Sequence, residues 1–343
     1  MLHPLSPRGK LVHLGLEGLA STNKLLDTAL QYEGETILRN EIYRVALNDE
    51  HVSTLKRTGK ELPDLAQWKE PEELPWANSE ILGSLRLHSG CKVVHVPTYL
   101  KGLWAACQSM GSGEKEWLVD ADCTSPEYDW ELCLSSFDTV VLCAGAGLFQ
   151  NSIIKDRMPM QLVRGQSVEL SLGEKSFEHA MLCGKYVSPL VEKNRVLVGK
   201  FLSSFFLDLQ VLALRGGLSL INSYAMLTAG ATHEFKEEPF DASQVKEELK
   251  ERSYPFSSSI WDDGIVDKIT CGFRVQSNRG KYGRIPIIGH FDTPIHANAW
   301  VFTGLSSRGL LYHGIYGNML TDMILNLEEE NQVEHVHLDW WRE

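Results

Sequence analysis

The pattern of apolar and polar positions divides the chain into helical and extended stretches. Apolar residues recur at helical spacing from Leu11 to Leu30, which predicts an amphipathic helix. Residues 139–144 (TVVLCA) form a short, wholly apolar run rich in β-branched residues that ends in small residues. Such a run is typical of a central parallel strand whose tip approaches a ligand. A further apolar strand is predicted at 300–303, followed by the turn GLSSRG and a helix to about Leu327.

Other stretches predict an antiparallel sheet. Residues 158–198 alternate apolar and polar positions with turn residues between them, as antiparallel strands do. Short strands are predicted for 34–55, and the Pro-, Trp- and charge-rich stretch 56–78 is predicted to be a surface excursion with a short helix. A helix is predicted for 241–252. We therefore expect an α/β (α+β) fold, in which a doubly wound domain is interleaved with an antiparallel-sheet subdomain.

Composition narrows the classes of partner. The net charge of −12 disfavours nucleic acid, which proteins bind mainly through Lys and Arg. The seven cysteines form no CxxC pair and are odd in number, so neither a metal site nor a disulfide framework is indicated. The most apolar stretch, 201–214, carries Asp208 and is too short to span a bilayer.

The N-terminal sequence MLHPLSPRGKL lacks the apolar core of a signal peptide. We expect a soluble, cytoplasmic protein, although an organellar transit peptide could have been lost with a missing N-terminus. The oligomeric state stays open.

Two segments are candidates for chemistry. The strand, glycine-containing turn and helix at 300–327 would present free backbone N–H groups and a positive dipole to a ligand, unless the turn is an ordinary connection. Arg274 follows Gly272 and Phe273 on an otherwise apolar strand. Its guanidinium is a candidate clamp for a substrate carboxylate, and the alternative is an arginine paired for structural reasons.

Taken together and in this order, these segments resemble the D-amino-acid oxidase family of FAD-dependent oxidoreductases, which includes glycine oxidase and sarcosine oxidase. Within that family, the chain is similar to the oxidase half of the bacterial bifunctional enzyme that modifies the wobble uridine of tRNA. The segments that carry the resemblance are LHPLSPRGK at the N-terminus, FDTVVLCAGAG at 137, PMQLVRGQSVEL at 159, GATHEF at 230, CGFRVQSNRGKYGRIPIIGHF at 271 and WVFTGLSSRGLLYHGIYGNMLTDMIL at 300.

The resemblance implies that FAD is the cofactor and that the substrate is a small glycine-like primary or secondary amine, whose C–N bond is oxidised by hydride transfer to the flavin. It implies cofactor contacts at His3, Pro4, Ala144, Gly145, Gly304, Ser306, Ser307, Arg308, Gly309 and Leu310. It also implies a catalytic carboxylate clamp at Arg274, with substrate contacts from Arg274, Arg164, Gln166 and Arg308.

The same resemblance implies a discontinuous organisation. The FAD-binding subdomain comprises 1–30, 90–155 and 265–330. The substrate-side subdomain comprises 31–89 and 156–264, and 331–343 form a tail.

The chain departs from the family at its start. The G-x-G-x-x-G fingerprint of a βαβ unit, which would hold the pyrophosphate of FAD, is absent from the sequence. We therefore expect an N-terminally truncated chain that binds FAD poorly and leaves the edge of a central strand unpaired. One alternative function is accordingly a truncated, non-catalytic isoform. Another is oxidation of a carboxymethylaminomethyl group on tRNA uridine.

The second departure is residues 200–230, an atypical insertion that resembles nothing in the family. Its removal would join VLVG to ATHEF in frame, so we hypothesise a retained intron. The alternative is a genuine loop insertion, although long structureless insertions are uncommon in compact domains.

Overall fold

The structure is a computed structural model, and it describes residues 1–111, 115–118, 137–143, 145–150, 152–192, 194–200, 210–214, 218–222, 240–293, 296–325, 338 and 340–342. The helices are α1 (Gly15–Leu30), α2 (Asp49–Glu61), α3 (Val96–Ser109), α4 (Ser152–Lys155), α5 (Ala242–Asp263) and α6 (Gly309–Leu325). The strands are β1 (Ile37–Arg39), β2 (Ile42–Val45), β3 (Ala66–Lys69), β4 (Ser84–Leu87), β5 (Val93–Val94), β6 (Lys115–Leu118), β7 (Thr139–Leu142), β8 (Met160–Ser171), β9 (Met181–Cys183), β10 (Lys185–Pro189), β11 (Arg195–Lys200), β12 (Gln210–Leu214), β13 (Leu218–Asn222), β14 (Ile265–Ser277), β15 (Ile287–His290) and β16 (Ala299–Thr303).

Two sheets organise these elements. Eight strands form one sheet in the order β14-β8-β11-β10-β9-β2-β4-β3, and six form the other in the order β15-β16-β7-β12-β13-β6. The eight-stranded sheet is antiparallel except where β2 pairs with β9. In the six-stranded sheet, β7 runs parallel to β16. This mixed architecture confirms the predicted fold class, while the predicted subdomain boundaries stay a prediction.

The two faces of the eight-stranded sheet differ in character. On one face, valines such as Val168, Val187 and Val198 pack with Leu249 and Ile260 of α5 in a single apolar cluster. Burial of aliphatic side chains from both elements holds α5 on this face. The opposite face carries small and polar side chains, and it contributes to the candidate site described below.

Helices α1, α3 and α6 pack closely because glycines line their contacts. A Cβ atom built on Gly18 of α1 would lie 2.7 Å from the carbonyl oxygen of Leu311 in α6. A Cβ atom on Gly102 of α3 would lie 2.6 Å from the carbonyl oxygen of Ala29 in α1. Both distances are shorter than a carbon–oxygen contact permits, so the backbones approach as closely as they do only because these residues are glycine.

Replacing Gly18 with alanine is expected to lower the free energy of unfolding by about 2 kcal/mol, because the added methyl group meets backbone that cannot rotate away. Urea denaturation of the variant measures the effect. Gly34→Ala is the matched control, since nothing lies within 4 Å of a Cβ atom built there. Equal stability of the Gly18 variant and the parent would show that α1 and α6 can separate without cost.

The edge of β7 is paired, which corrects the expectation of an unpaired central strand. Strand β12 runs antiparallel to β7, with Val211 opposite Leu142, and β13 continues the sheet to β6. Both β12 and β13 lie within the inserted residues 200–230. The insertion therefore contributes two strands to this sheet. The retained-intron hypothesis itself stays a prediction.

The region 34–55 was predicted as strands, and this is wrong for its second half. Helix α2 begins at Asp49, where the Asn48 side chain accepts a hydrogen bond of 2.9 Å from the His51 N–H group. Only Leu55 and Thr58 are buried on this helix. Because so few apolar residues recur along this helix, their spacing did not indicate a helix. The capping residue Asn48 was the better indication of its start.

The predicted surface excursion at 56–78 is wrong in part, because β3 (Ala66–Lys69) pairs with β4 at the edge of the eight-stranded sheet. The predicted helices at 11–30 and 241–252 are confirmed with shifted boundaries. Helix α1 begins at Gly15 rather than Leu11, and α5 extends through Pro255 to Asp263 after a capping box at Asp241. Among the described helices, none is long and apolar enough to cross a membrane.

Candidate active site

Two neighbouring parallel strands end at the same edge of the six-stranded sheet. In the register between β7 and β16, Leu142 lies opposite Val301. Each strand is followed by a glycine in the left-handed region, Gly145 with φ 49° and Gly304 with φ 67°. Ligands bind α/β sheets at the carboxyl ends of their parallel strands, and two such glycines allow a ligand to approach the backbone there. Ala144 lies outside the described residues.

A cavity of about 340 Å³ opens beside the start of α6. His3, Ser306, Ser307 and Arg308, four of the predicted cofactor residues, line it. The structure therefore brings the N-terminal loop and the turn before α6 to one cavity, although they are some 300 residues apart in the sequence.

The turn before α6 is fixed against the end of β14. The Ser306 N–H group donates to the carbonyl oxygen of Val275 at 3.2 Å, and its hydroxyl donates to the carbonyl oxygen of Gly304 at 3.1 Å. Ser306 has φ 55°, a strained conformation for a residue with a side chain. Ser306, Ser307 and Arg308 line the cavity and α6 begins at Gly309, so the N-terminal end of the helix lies beside the cavity.

His3 is buried in the cavity wall. The Leu5 N–H group donates to its Nδ1 atom at 3.2 Å, so a neutral imidazole carries its proton on Nε2. Burial lowers the pKa of His3 well below its usual value, and the positive charges of Arg44, the N-terminus and Arg308 lower it further. His3 is therefore a neutral donor at physiological pH.

The remaining predicted cofactor residues support this arrangement from outside the cavity wall. The Pro4 carbonyl oxygen accepts from the Val12 N–H group at 3.0 Å, which closes the N-terminal loop over α1. Gly309 and Leu310 begin α6 and are buried, and the Leu310 carbonyl oxygen accepts from the Thr22 hydroxyl at 2.9 Å.

Arg274 is buried on the small, polar face of the eight-stranded sheet. The residue is 5% exposed, and the neighbouring positions on that face include Gly165, Gly272 and the hydrogen-bonded pair Ser167 and Thr270. Burial lowers the pKa of Arg274 to about 10, so it stays charged at neutral pH. A buried cation surrounded by small side chains is suited to an anionic group of a small ligand.

Tyr186 belongs to the same face, and sequence reasoning missed it. It lies opposite Gly199 in β11, where a Cβ atom would come within 2.7 Å of the tyrosine oxygen. It is close enough to Arg274 for each to influence the pKa of the other. The two residues are 88 positions apart in the sequence, and only the pairing of β10 with β11, of β11 with β8 and of β8 with β14 brings them together.

The predicted substrate residues do not all converge. Arg308 lines the cavity, whereas Arg274 does not. Gln276, which was not predicted, lines the cavity and follows Arg274 by two positions on the same face of β14, about 7 Å along the strand. Arg164 and Gln166 occupy the opposite face. The Arg164 guanidinium lies 5.0 Å from the centroid of the Phe273 ring, and the Gln166 amide donates to the Phe240 carbonyl oxygen at 3.1 Å.

Comparison with known proteins identifies the family. The model of the DAO family, described as FAD-dependent oxidoreductase, matches residues 1–323. The chain belongs to this family. A search of curated proteins finds no match.

Solved structures of several oxidases share the fold of this chain. Glycine oxidase from Geobacillus kaustophilus superposes with a TM-score of 0.62 at 16% identity, over 95% of this chain and 81% of that one. Iminodiacetate oxidase from a Chelativorans species gives 0.59 at 15% identity, over 98% and 87%. L-α-glycerophosphate oxidase from Mycoplasma pneumoniae, in a structure with FAD bound, gives 0.60 at 14% identity, over 93% and 82%.

As a DAO-family member the chain is an FAD-dependent oxidoreductase, and the residues at the sheet edge fit this cofactor. Thr303, the last residue of β16, is 2% exposed, and its hydroxyl has no hydrogen-bond partner within the described residues. A buried hydroxyl without a partner costs about 1–3 kcal/mol, which a polar ligand atom would offset. Together with Gly145, Gly304 and the start of α6, it forms a surface suited to a polar cofactor.

A buried histidine connects α6 to α3. The His313 Nδ1–H group donates to the Gly309 carbonyl oxygen at 3.1 Å, and its Nε2 atom accepts from the Tyr99 hydroxyl at 2.7 Å. Burial lowers the pKa of His313 from 6.5 to about 4. The neutral form is therefore the one that the folded helix start accommodates.

This burial makes the free energy of unfolding depend on pH. Between pH 6.5 and 4 the unfolded chain binds a proton at His313 and the folded chain does not. The stabilisation that the folded chain gains from a neutral His313 is therefore complete above pH 6.5. It is lost as the pH falls, and the loss reaches about 3 kcal/mol at pH 4. Denaturation measured at several pH values should show a shallower decline in His313→Gln than in the parent. An equal decline with pH in the variant and the parent would contradict a neutral, buried His313.

Proposed function

We propose that this FAD-dependent oxidoreductase oxidises the C–N bond of a small glycine-like primary or secondary amine that carries a carboxylate. The observation that carries the proposal is the buried Arg274 on a face of small side chains, next to the cavity at the start of α6. Glycine oxidase and iminodiacetate oxidase, which share the fold, are named for substrates of this chemistry. Nothing in the described residues favours the tRNA-directed or the non-catalytic alternative.

In this mechanism, Arg274 binds the substrate carboxylate and orients the amine. The guanidinium can donate two parallel hydrogen bonds to the two carboxylate oxygens, which fixes the direction of the Cα–H bond. FAD, when bound, supplies the acceptor for the hydride that leaves this carbon. The amine reacts in its neutral form, so no side-chain base is required, and the imine product is hydrolysed by water.

The chain contributes electrostatics on the cofactor side. The start of α6 lies beside the cavity, so the positive end of its helix dipole acts on a group bound there, and the neutral His3 in the cavity wall is a hydrogen-bond donor at Nε2. Both favour negative charge that develops on a bound group during the reaction. Burial of Arg274 and Tyr186 keeps water away from the carboxylate, which strengthens its binding.

Anaerobic mixing of the FAD-loaded protein with candidate amines tests the proposal. We expect glycine or N-methylglycine to bleach the visible absorption of the flavin, and propylamine, which lacks the carboxylate, to leave it unchanged. Loss of absorption with propylamine alone, or with none of a panel of carboxylate-bearing amines, would rule out the proposed substrate class.

A further inference from the structure

The cavity at the start of α6 concentrates positive charge in a protein of net charge −12. Arg279, Arg284 and Arg308 line it together with His3. None of its lining residues in the described part of the chain is acidic. A concave site lined by charge of one sign raises the local concentration of ligands of the opposite sign, so the wall selects for anions.

Contacts at the end of β14 hold Arg284 in place. Its Nη1–H group donates to the carbonyl oxygen of Ser277. The Gln276 amide is oriented so that its oxygen faces the Arg284 guanidinium. This oxygen accepts from Arg284 Nε at 2.6 Å, from Nη2 at 2.9 Å and from Nη1 at 3.1 Å. Burial lowers the pKa of Arg284, and the nearby charge of Arg279 lowers it further. Two like charges are therefore held close together at the cavity.

The turn between β14 and β15 keeps Arg279 beside Arg284. Gly280 and Gly283 donate backbone hydrogen bonds to each other's carbonyl oxygens at 2.8 and 3.0 Å. Gly283 has φ 86°, which only glycine adopts readily. This tight turn brings the two arginines, five positions apart in the sequence, to one side of the cavity.

Gln276 connects the cationic wall of the cavity to the strand that carries Arg274. Gln276, which contacts Arg284, follows Arg274 by two positions on the same face of β14, a spacing of about 7 Å. The contact between Gln276 and Arg284 therefore places the cationic wall on the same side of β14 as Arg274.

We propose that the substrate carries a second acidic group, which binds Arg279 and Arg284 with Arg308 while the first binds Arg274. The inference rests on the proposed function and deepens it. It narrows the substrate class from glycine-like amines to secondary amines with two acidic groups. One group positions the reacting carbon, and the second accounts for the cationic wall of the cavity.

Calorimetric titration with iminodiacetate and with N-methylglycine tests this inference. The two ligands share a secondary amine and one carboxymethyl group and differ in the second carboxylate. We expect the parent protein to bind iminodiacetate about tenfold more tightly than N-methylglycine. Arg279→Gln should weaken the binding of iminodiacetate by about tenfold and so remove this preference. The Kd of N-methylglycine should change by no more than about twofold. Arg279 is exposed, so this substitution is compatible with folding.

Arg57→Gln is the matched control, because it also removes one exposed positive charge but lies on α2. It should bind both ligands as the parent does. The FAD affinity of each variant is titrated in parallel. Equal affinity for the two ligands in the parent would overturn the inference, and so would a tenfold loss of FAD affinity in Arg279→Gln, which would assign the arginines to the phosphates of the cofactor.

The calorimetric result also separates this inference from the proposed function. An iminodiacetate preference that depends on Arg279, without bleaching of the flavin by any amine, would support the dianion site and contradict the oxidation. Bleaching by N-methylglycine without an iminodiacetate preference would support the oxidation and overturn the dianion site.

Discussion

Arg274→Ala is expected to weaken binding of a carboxylate-bearing amine by about 30-fold to several-thousand-fold. This corresponds to the about 2–5 kcal/mol that the loss of one partner costs in a buried, hydrogen-bonded charge pair. The effect should be large because Arg274 is 5% exposed, so water cannot replace the guanidinium at the substrate carboxylate. Steady-state kinetics should show the loss as a raised KM.

Two comparisons show whether this loss comes from the clamp. Arg274→Lys keeps the charge but cannot donate two parallel hydrogen bonds, and it should recover part of the affinity. The visible spectrum of bound flavin should be the same in both variants, because Arg274 does not line the cavity beside α6. An unchanged KM in Arg274→Ala, with the fold intact, would show that another group binds the carboxylate.

Glu248→Leu is expected to lower the free energy of unfolding by about 3–5 kcal/mol. The Lys185 ammonium in β10 is 1% exposed and lies 2.9 Å from the Glu248 carboxylate in α5. Removal of the carboxylate leaves a buried positive charge without this counter-ion, and such losses are strongly destabilising. Because this ion pair joins α5 to the eight-stranded sheet, the whole apolar cluster between them should unfold at a lower denaturant concentration than in the parent.

The double variant Lys185→Met/Glu248→Leu separates the charge from the packing. Replacing both partners by apolar residues removes the uncompensated charge, so most of the lost stability should return. Glu247→Leu, an exposed position on the same helix, should change the free energy of unfolding by no more than about 0.5 kcal/mol. If the double variant is as unstable as Glu248→Leu, the loss reflects packing rather than charge.

The elements that carry the fold could be predicted where one local pattern dominates. The apolar run that became β7, and the strand, turn and helix that became β16 and α6, are continuous in sequence and need no distant partner to be recognised. The first half of helix α2 was predicted as strand because the helix buries little apolar surface, and its start is marked only by the capping residue Asn48. The pairing of β12 with β7 was missed because pairing is a long-range property of the sheet.

The candidate site also contains residues that the sequence predicts and residues that it does not. Ser306, Ser307 and Arg308 follow the pattern at 300–327 and line the cavity, and their contact with a ligand stays a prediction. Tyr186, Arg279 and Arg284 were not predicted. Tyr186 reaches Arg274 only through the register of β10, β11, β8 and β14. The two arginines meet only because Gly280 and Gly283 close the turn between them.

The proposed oxidation depends on FAD binding at the sheet edge beside α6. Equilibrium gel filtration in buffer that contains FAD, followed by visible absorption, tests it most directly. The method also detects the weak binding expected from a sequence without the glycine fingerprint. We expect excess flavin absorption at the elution volume of the folded protein. Flavin absorption at the level of the buffer across that peak would contradict it.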